Sequence, residues 1–528
     1  MSSLFASKFN TTIPLLDQVV NHEKAPLYGG LFVLLFVVLL WNNNKSETRS
    51  GKPLPPVVPH RVPILGKAVP YGVQPVTFLQ ECMQKFGDCF TFTMMGRKMT
   101  FCLNPDGNHF VFNVKLSHAT AEGAYDKLTV PVFGTEVVYD VPNSTFMEQK
   151  KFVKDALTTS AFKTYVPIII KEARDFFGTW ADKKEKLELF PEMAELTIRT
   201  ASHCLMGKEI RDQLHSNVAK LYHDLDGGFQ PINVFFRWLP LPNYIKRDRA
   251  NRIMTETFLK ILKERRDTNN LESQDVLQSL MDGVYRDGSK MSDEAIAHMM
   301  IATLMAGQHT SSTSASWILF ELANNPDALA ELIKEQSMIL TGRPDTPAHE
   351  LPDFTYEELR KFTYLDCVMK ESLRLHTPIH TVMRLVVKDI EYKGYTIPAG
   401  HFLCGSQAVS QMDAKRFPEP EKFDPTRWTE SDEGAGEWTI NGVDIAQKSA
   451  RSNFLPFGAG RHRCIGEAFA YIQIKTIIAM FVREFTHDLV KETKTGKNIF
   501  PEMDFTSLVV IPKAPGYISY ERRPELRK

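Results

Sequence analysis

The sequence predicts a mainly α-helical domain with a small β portion, preceded by one N-terminal transmembrane helix. Three observations predict it. Long amphipathic runs with helical spacing dominate the chain, strand-like alternation is confined to short pieces, and one uncharged apolar run stands near the N-terminus. The 528 residues are enough to bury a large core, and 43% hydrophobic with 24% charged residues is an ordinary globular composition. Lys+Arg and Asp+Glu are equal at 63 each, so the chain has no bulk attraction for nucleic acid.

The first element is "APLYGGLFVLLFVVLLW", Ala25 to Trp41, without a charge. As a helix it reaches roughly 26 Å at about 1.5 Å per residue, which suits the thinner bilayer of the endoplasmic reticulum. Lys24 and Lys45 flank it and can snorkel to the headgroups. A cleaved signal peptide and a buried core helix are the competing readings. The run starts late for a signal peptide, and "NNNKSETRS" after it offers no A-x-A cleavage site. Residues 25–44 are therefore expected to be a retained anchor. The excess of Lys and Arg after it places the catalytic bulk in the cytoplasm and residues 1–24 in the lumen, where Asn10-Thr11-Thr12 is a glycosylation sequence. Residues 45–66 carry Pro53, Pro55, Pro56, Pro59 and Pro63 and read as a stiff spacer. Residues 67–528 are expected to form the folded body of the chain.

Within that domain, Val76 to Gly87 has helical spacing and ends on a glycine, and Phe90 to Leu103 reads as a hairpin. Amphipathic helices are expected near 165–182, 249–268, 327–340, 364–375 and 464–485. Strands are expected at 382–395 and 505–511. The run from Ser292 to Asn325 is a helix apolar nearly all round and therefore buried, with Ser292 as N-cap and Asp293 and Glu294 in its first turn. Its middle carries Gly307, Gln308, His309 and Thr310, then Ser311, Ser312 and Thr313. Either the hydroxyls bond back to the i−4 carbonyls, or the helix opens locally where something approaches the backbone.

Seven cysteines, Cys82, Cys89, Cys102, Cys204, Cys367, Cys404 and Cys464, form no CxxC pair and show no zinc spacing. An odd count argues against a disulfide framework and for a reducing compartment. Cys464 stands apart in "FLPFGAGRHRCIG". The glycines imitate a dinucleotide fingerprint, but the third position is Arg463 and no strand precedes it. A helix is expected to begin at Cys464, so the positive end of its dipole, together with Arg461, His462 and Arg463, favours a thiolate. A thiolate on such a loop suits an axial ligand of haem iron.

Phe457-x-x-Gly460-x-His462-x-Cys464-x-Gly466 resembles the haem-binding loop of cytochrome P-450 monooxygenases, with His462 where arginine is usual. Glu371-Ser372-Leu373-Arg374 resembles the family's E-x-x-R pair, 93 residues before the cysteine. Glu357 and Arg360 match the same spacing, so only position gives the motif value. Arg427 in "FDPTRW" resembles the arginine that completes a Glu–Arg–Arg network. Ala306-Gly307-x-x-Thr310 resembles the oxygen-binding groove, and His309 before that threonine is the pattern of sterol 14α-demethylases. Tyr125 to Lys154 and Asp224 to Asn233 resemble segments of the fungal members, with Val141, Thr381 and Leu508 as small departures.

The resemblance implies a P-450 fold holding haem b through Cys464. It implies that Tyr125, Tyr139, Lys150, Arg384 and His462, with Phe457 and Gly458 of the loop, hold the haem. Phe133, Ala306, His380, Thr381 and Leu508 are implied to line a sterol cavity. His309, paired with Asp226, and Thr310 are implied to relay protons to bound oxygen. For Phe133 and Tyr139 ordinary core packing stands beside this reading, and for Lys150 a solvated face. The implied reaction removes the 14α-methyl of lanosterol or eburicol as formate in three O2- and NADPH-dependent steps of ergosterol biosynthesis. Electrons are implied to come from a separate NADPH-dependent flavoprotein reductase, docked by Arg461, Arg463 and Lys475, and azole inhibitors are implied ligands. A monooxygenase acting on another lipid and a non-catalytic haem- or sterol-binding relative remain alternatives.

Overall fold

A computed structural model describes residues 51–208, 211, 218–229, 241–268, 275–429, 439–440, 443–444 and 452–527. The expected anchor at 25–44, the glycosylation sequence at Asn10 and residues 230–233 lie outside these. Among the described residues no helix is long and apolar enough to cross a membrane.

The architecture is helical with a small sheet set to one side. Strands β1 (Cys89–Met94) and β2 (Arg97–Cys102) form the expected hairpin, closed by Met95 and Gly96, both at positive φ, as a tight turn matched to strand twist requires. β3 (Ala119–Thr120), β4 (Val382–Val386) and β5 (Phe402–Gly405) complete a sheet of order β1-β2-β5-β4-β3. The proline-rich segment lies against this sheet: Val58 is buried, its N–H donates to the Thr91 carbonyl, and Pro53 accepts from Thr396 N–H.

Five helices matter for the site: α1 (Glu122–Phe133), α2 (Asn143–Asp155), α3 (Asp293–Asn324), α4 (Thr363–Leu375) and α5 (Glu467–Glu484). Helix α3 runs through the main hydrophobic core, and residues 311–322 are buried without exception, as its all-round apolarity dictates. Ser292 caps it by accepting from Ala295 N–H. Its polar middle does not break the helix. Thr310, Ser314 and Ser316 donate to carbonyls four residues back, and Thr313 instead donates to the Val510 carbonyl at 2.9 Å, tying the C-terminal loop to the helix.

Three expectations are corrected. The helix expected at 165–182 spans Thr159–Phe177, because Thr158 caps it and the chain turns at Gly178 into a strand at Lys183–Glu188. The strand expected at 505–511 reduces to the short pieces Met503–Asp504 and Ile511–Pro512, since no neighbouring strand pairs with the residues between. The helix expected from Cys464 begins at Glu467, with Gly466 as N-cap.

Candidate active site

Cys464 is placed by backbone geometry. Gly458 and Gly460 have φ of +69° and +63°, and a Cβ on Gly460 would sit 2.9 Å from the Phe112 carbonyl oxygen, so only glycine fits there. Cys464 N–H donates to the Phe457 carbonyl at 3.0 Å, and Arg463 N–H to Gly460 at 3.1 Å. The Arg463 side chain donates to the Gly458 carbonyl and pairs with Glu467. Lys150 of α2 donates to the carbonyls of Arg461 (3.0 Å) and Arg463 (2.9 Å), so it stitches the loop instead of facing solvent. Cys464 is exposed, while the other six cysteines are buried. Burial nevertheless pushes its thiol above the usual value, against the Gly466 N–H and the charges of Lys150 and Arg463. Desolvation thus opposes the Gly466 N–H and the neighbouring cations, which favour the thiolate, and a bound cation would favour it further.

Tyr139, His380 and Tyr71 are, like Cys464, not fully enclosed, yet burial is the main cause of the shift of each; Tyr139 also lines a surface cleft beside Val141. The surface clefts beside Val141 include neither Cys464 nor Ala306.

The surroundings of His462 in this loop are cationic. Arg384 is 4% exposed, and no carboxylate pairs with it among the described residues. Its one guanidinium hydrogen bond goes to the Met383 carbonyl at 2.7 Å. Tyr125 accepts the Met383 N–H at 2.9 Å and stacks on Tyr139 at 5.3 Å, which lies 6.2 Å from the His462 ring. His462 Nδ1 is buried without a partner. Burial, then the charges of Arg384, Lys150 and Arg461, push His462 down to about 3, so it is neutral. A buried guanidinium without a counter-charge is costly unless an anion completes it. These groups fit the carboxylates of haem, and Cys464 fits its iron.

Helix α3 carries a second group of candidate residues. Ala306 is exposed in mid-helix, and a Cβ on Gly307 would meet nothing within 4 Å. Thr310 Oγ1 donates to the Ala306 carbonyl at 2.7 Å. His309 Nε2 lies 3.1 Å from Asp226 Oδ1, without hydrogen-bond alignment. Phe133 packs edge-on to Phe229 at 5.6 Å, Thr381 Oγ1 and His380 Nδ1 are 2.9 Å apart, and Leu508 bridges the two largest apolar clusters. Burial pushes His380 down to about 4.

Beneath the loop, Glu371 and Arg374 of α4 are fully buried and joined twice, at 2.8 and 2.9 Å. Arg427 Nε donates to Glu371 at 2.9 Å, as do Trp428 Nε1 at 2.8 Å and Asp424 N–H at 3.1 Å. Gln411 carries the network to the loop: its amide donates to the carbonyls of Leu373 and Arg374, and its oxygen accepts from Leu455 N–H at 3.0 Å. The competing match, Glu357, pairs with Lys163 on the surface.

A family model described as Cytochrome P450 matches residues 55–519. The chain belongs to the cytochrome P450 family. Membership implies haem held by a cysteine thiolate and a redox partner. The chain is 44% identical to a lanosterol 14-alpha demethylase of Cunninghamella elegans, over 89% of this chain and 91% of the relative. It is 43% identical to an eburicol 14-alpha-demethylase of Uncinula necator, over 95% and 98%. The retinoic acid-bound cyanobacterial CYP120A1 shares the fold at a TM-score of 0.75 and 21% identity, covering 90% of this chain and all of that one.

For this P450 the docking role expected of Lys475 is corrected. Lys475 is 4% exposed and bonded to Asp366 at 2.8 Å, because the face of α5 that carries it turns into the core. Sequence reasoning missed Trp428, Gln411 and Tyr71. Trp428 directly follows Arg427 and carried that signal, whereas Gln411 and Tyr71 carried none.

Proposed function

We propose that the protein is a sterol 14α-demethylase, a haem-thiolate monooxygenase that removes the 14α-methyl group of lanosterol or eburicol as formate in ergosterol biosynthesis. The observation that carries this reading is the Cys464 loop, shaped by Gly458 and Gly460 and held by Lys150, beside an Arg384 guanidinium with no carboxylate partner among the described residues, together with the open Ala306–Gly307 stretch of α3 and Asp226 next to His309. The relatives' names support the same substrate class.

Haem b, when bound, supplies the oxygen activation and oxidising power, with thiolate electron density from its axial ligand. Cys464 would hold its iron. Arg384, Tyr125, Tyr139, Lys150 and His462 would hold the propionates, and Phe457 and Gly458 would shape the loop that carries Cys464. Thr310 Oγ1 passes a proton into the cavity, and His309, with Asp226 beside Nε2, resupplies it from outside. Phe133, Ala306, His380, Thr381 and Leu508 hold the sterol and exclude water. His380 stays neutral near neutral pH, which suits an apolar ligand.

The electron donor is an NADPH-dependent flavoprotein reductase. Azoles would compete with the sterol for the residues around Ala306 and His380. Residues 25–44 anchor the chain in the endoplasmic reticulum membrane, with residues 67–528 as the catalytic domain on the cytoplasmic face. The test incubates the full chain with reductase, NADPH and lanosterol or eburicol. The expected product is the Δ14 sterol. Binding of the sterol without that product, under conditions that reduce the haem, would refute the reading.

A further inference from the structure

Cys89 and Cys102 face each other on the β1–β2 hairpin as directly opposed residues, with their sulfurs 3.9 Å apart. Counting back from the tight turn at Met95-Gly96, pairs alternate between hydrogen-bonded and non-hydrogen-bonded. The Leu103 N–H to Asp88 carbonyl bond, 2.9 Å, makes the next pair out a hydrogen-bonded one. Cys89 and Cys102 are thus a non-hydrogen-bonded pair, the type with the closer backbones, about 4.5 Å between Cα atoms. A disulfide accepts roughly 4.4–6.8 Å between Cα atoms, so side-chain rotation alone brings the sulfurs together.

No other cysteine competes. Cys404 opposes Phe101 on the neighbouring strand, so it lies on the other face of the sheet and packs in a different apolar cluster, with Cys82. Both thiols of the pair are buried, but β1 is the outermost strand of its sheet and Cys89 is its first residue. Strand ends open locally at low cost, which admits an oxidant scarcely larger than water. Neither thiol takes part in the reaction at Cys464.

We propose that Cys89 and Cys102 are a reversible oxidation site that forms a cross-strand disulfide with hydrogen peroxide. One sulfur attacks a peroxide oxygen, the O–O bond breaks, and a sulfenic acid and water form. The second thiol's sulfur then displaces the sulfenic hydroxyl, which leaves as water with that thiol's proton. Two thiols and one peroxide become one disulfide and two waters. In a reducing compartment such a bond is transient, which suits a sensor and not a staple.

The test exposes the full-length, haem-loaded protein to hydrogen peroxide, quenches with catalase, denatures, alkylates with N-ethylmaleimide and maps the peptides by mass. The expected result is loss of two of the seven thiols, a linked Cys89–Cys102 peptide about 2 Da lighter than the sum of its reduced parts, and full recovery with dithiothreitol. Cys404→Ala and Cys82→Ala retain the link, and Cys89→Ala abolishes it. Full alkylation of both cysteines after peroxide, or a sulfinic acid at Cys102 without a link, would overturn the proposal.

Discussion

Glu371 accepts five hydrogen bonds within the fully buried network: two from Arg374, and one each from Arg427, Trp428 and the Asp424 N–H. Glu371→Gln keeps the shape and removes the charge. One carboxylate oxygen becomes an NH2 group, which cannot accept, so at least two donors lose their partner. Arg374, wholly buried, then keeps only neutral partners: the remaining amide oxygen at position 371, the carbonyls of Gln411, Pro420 and Lys422, and Met412 Sδ. Stranding a buried charge by removing its partner costs about 3–5 kcal/mol. Against a typical total of about 5–15 kcal/mol that is a large fraction. Equilibrium urea unfolding of wild type and variant, with the reduced carbon monoxide spectrum as a check on haem retention, reads the loss. Glu357→Gln, at the other E-x-x-R match, leaves the unfolding midpoint unchanged. A loss below about 1 kcal/mol for Glu371→Gln would refute the argument that the network is a buried brace and would put it with surface pairs.

Gly460→Ala places a Cβ against the Phe112 carbonyl at a positive φ. It should cost about 1–3 kcal/mol and lower haem content per polypeptide, measured by the pyridine haemochrome. Gly307→Ala should raise thermal stability by about 0.5–1 kcal/mol, because a helical glycine is replaced where nothing is met. The same methyl enters the cavity and should raise the Kd of the sterol in a spectral titration. Burial pushes His380, His401 and His487 from 6.5 to about 4, so they are neutral when folded at pH 5 and charged when unfolded. The unfolded chain binds more protons there, so stability is lost as pH falls from 6.5 toward 4. His487→Phe should flatten that slope in unfolding curves taken every half pH unit.

Much of the site was legible because chemistry was written in short spacings. The Ser292 cap, the turn at Gly87, the glycines around Cys464 and the Glu371–Arg374 turn are local, and local rules recover them. The desolvation of Cys464 was not, because burial depends on everything packed around the loop. Lys475 read as a surface cation because a single helix face cannot be told buried from sequence when its neighbours are apolar all round. Gln411 and Tyr71 act through partners such as Leu455 and His380, far away in the chain. The 505–511 segment has strand-like composition, but strand formation needs a partner edge, and only its last residue, Ile511, finds one, opposite Asp504.

The most direct test of the account measures formate from a 14α-methyl sterol against NADPH oxidised, with wild type and Cys464→Ala at equal protein concentration. The account predicts one formate per sterol consumed by the wild type, a thiolate-type Soret band in its reduced carbon monoxide complex, and neither from Cys464→Ala. A wild-type thiolate band with sterol bound and no formate released would contradict it.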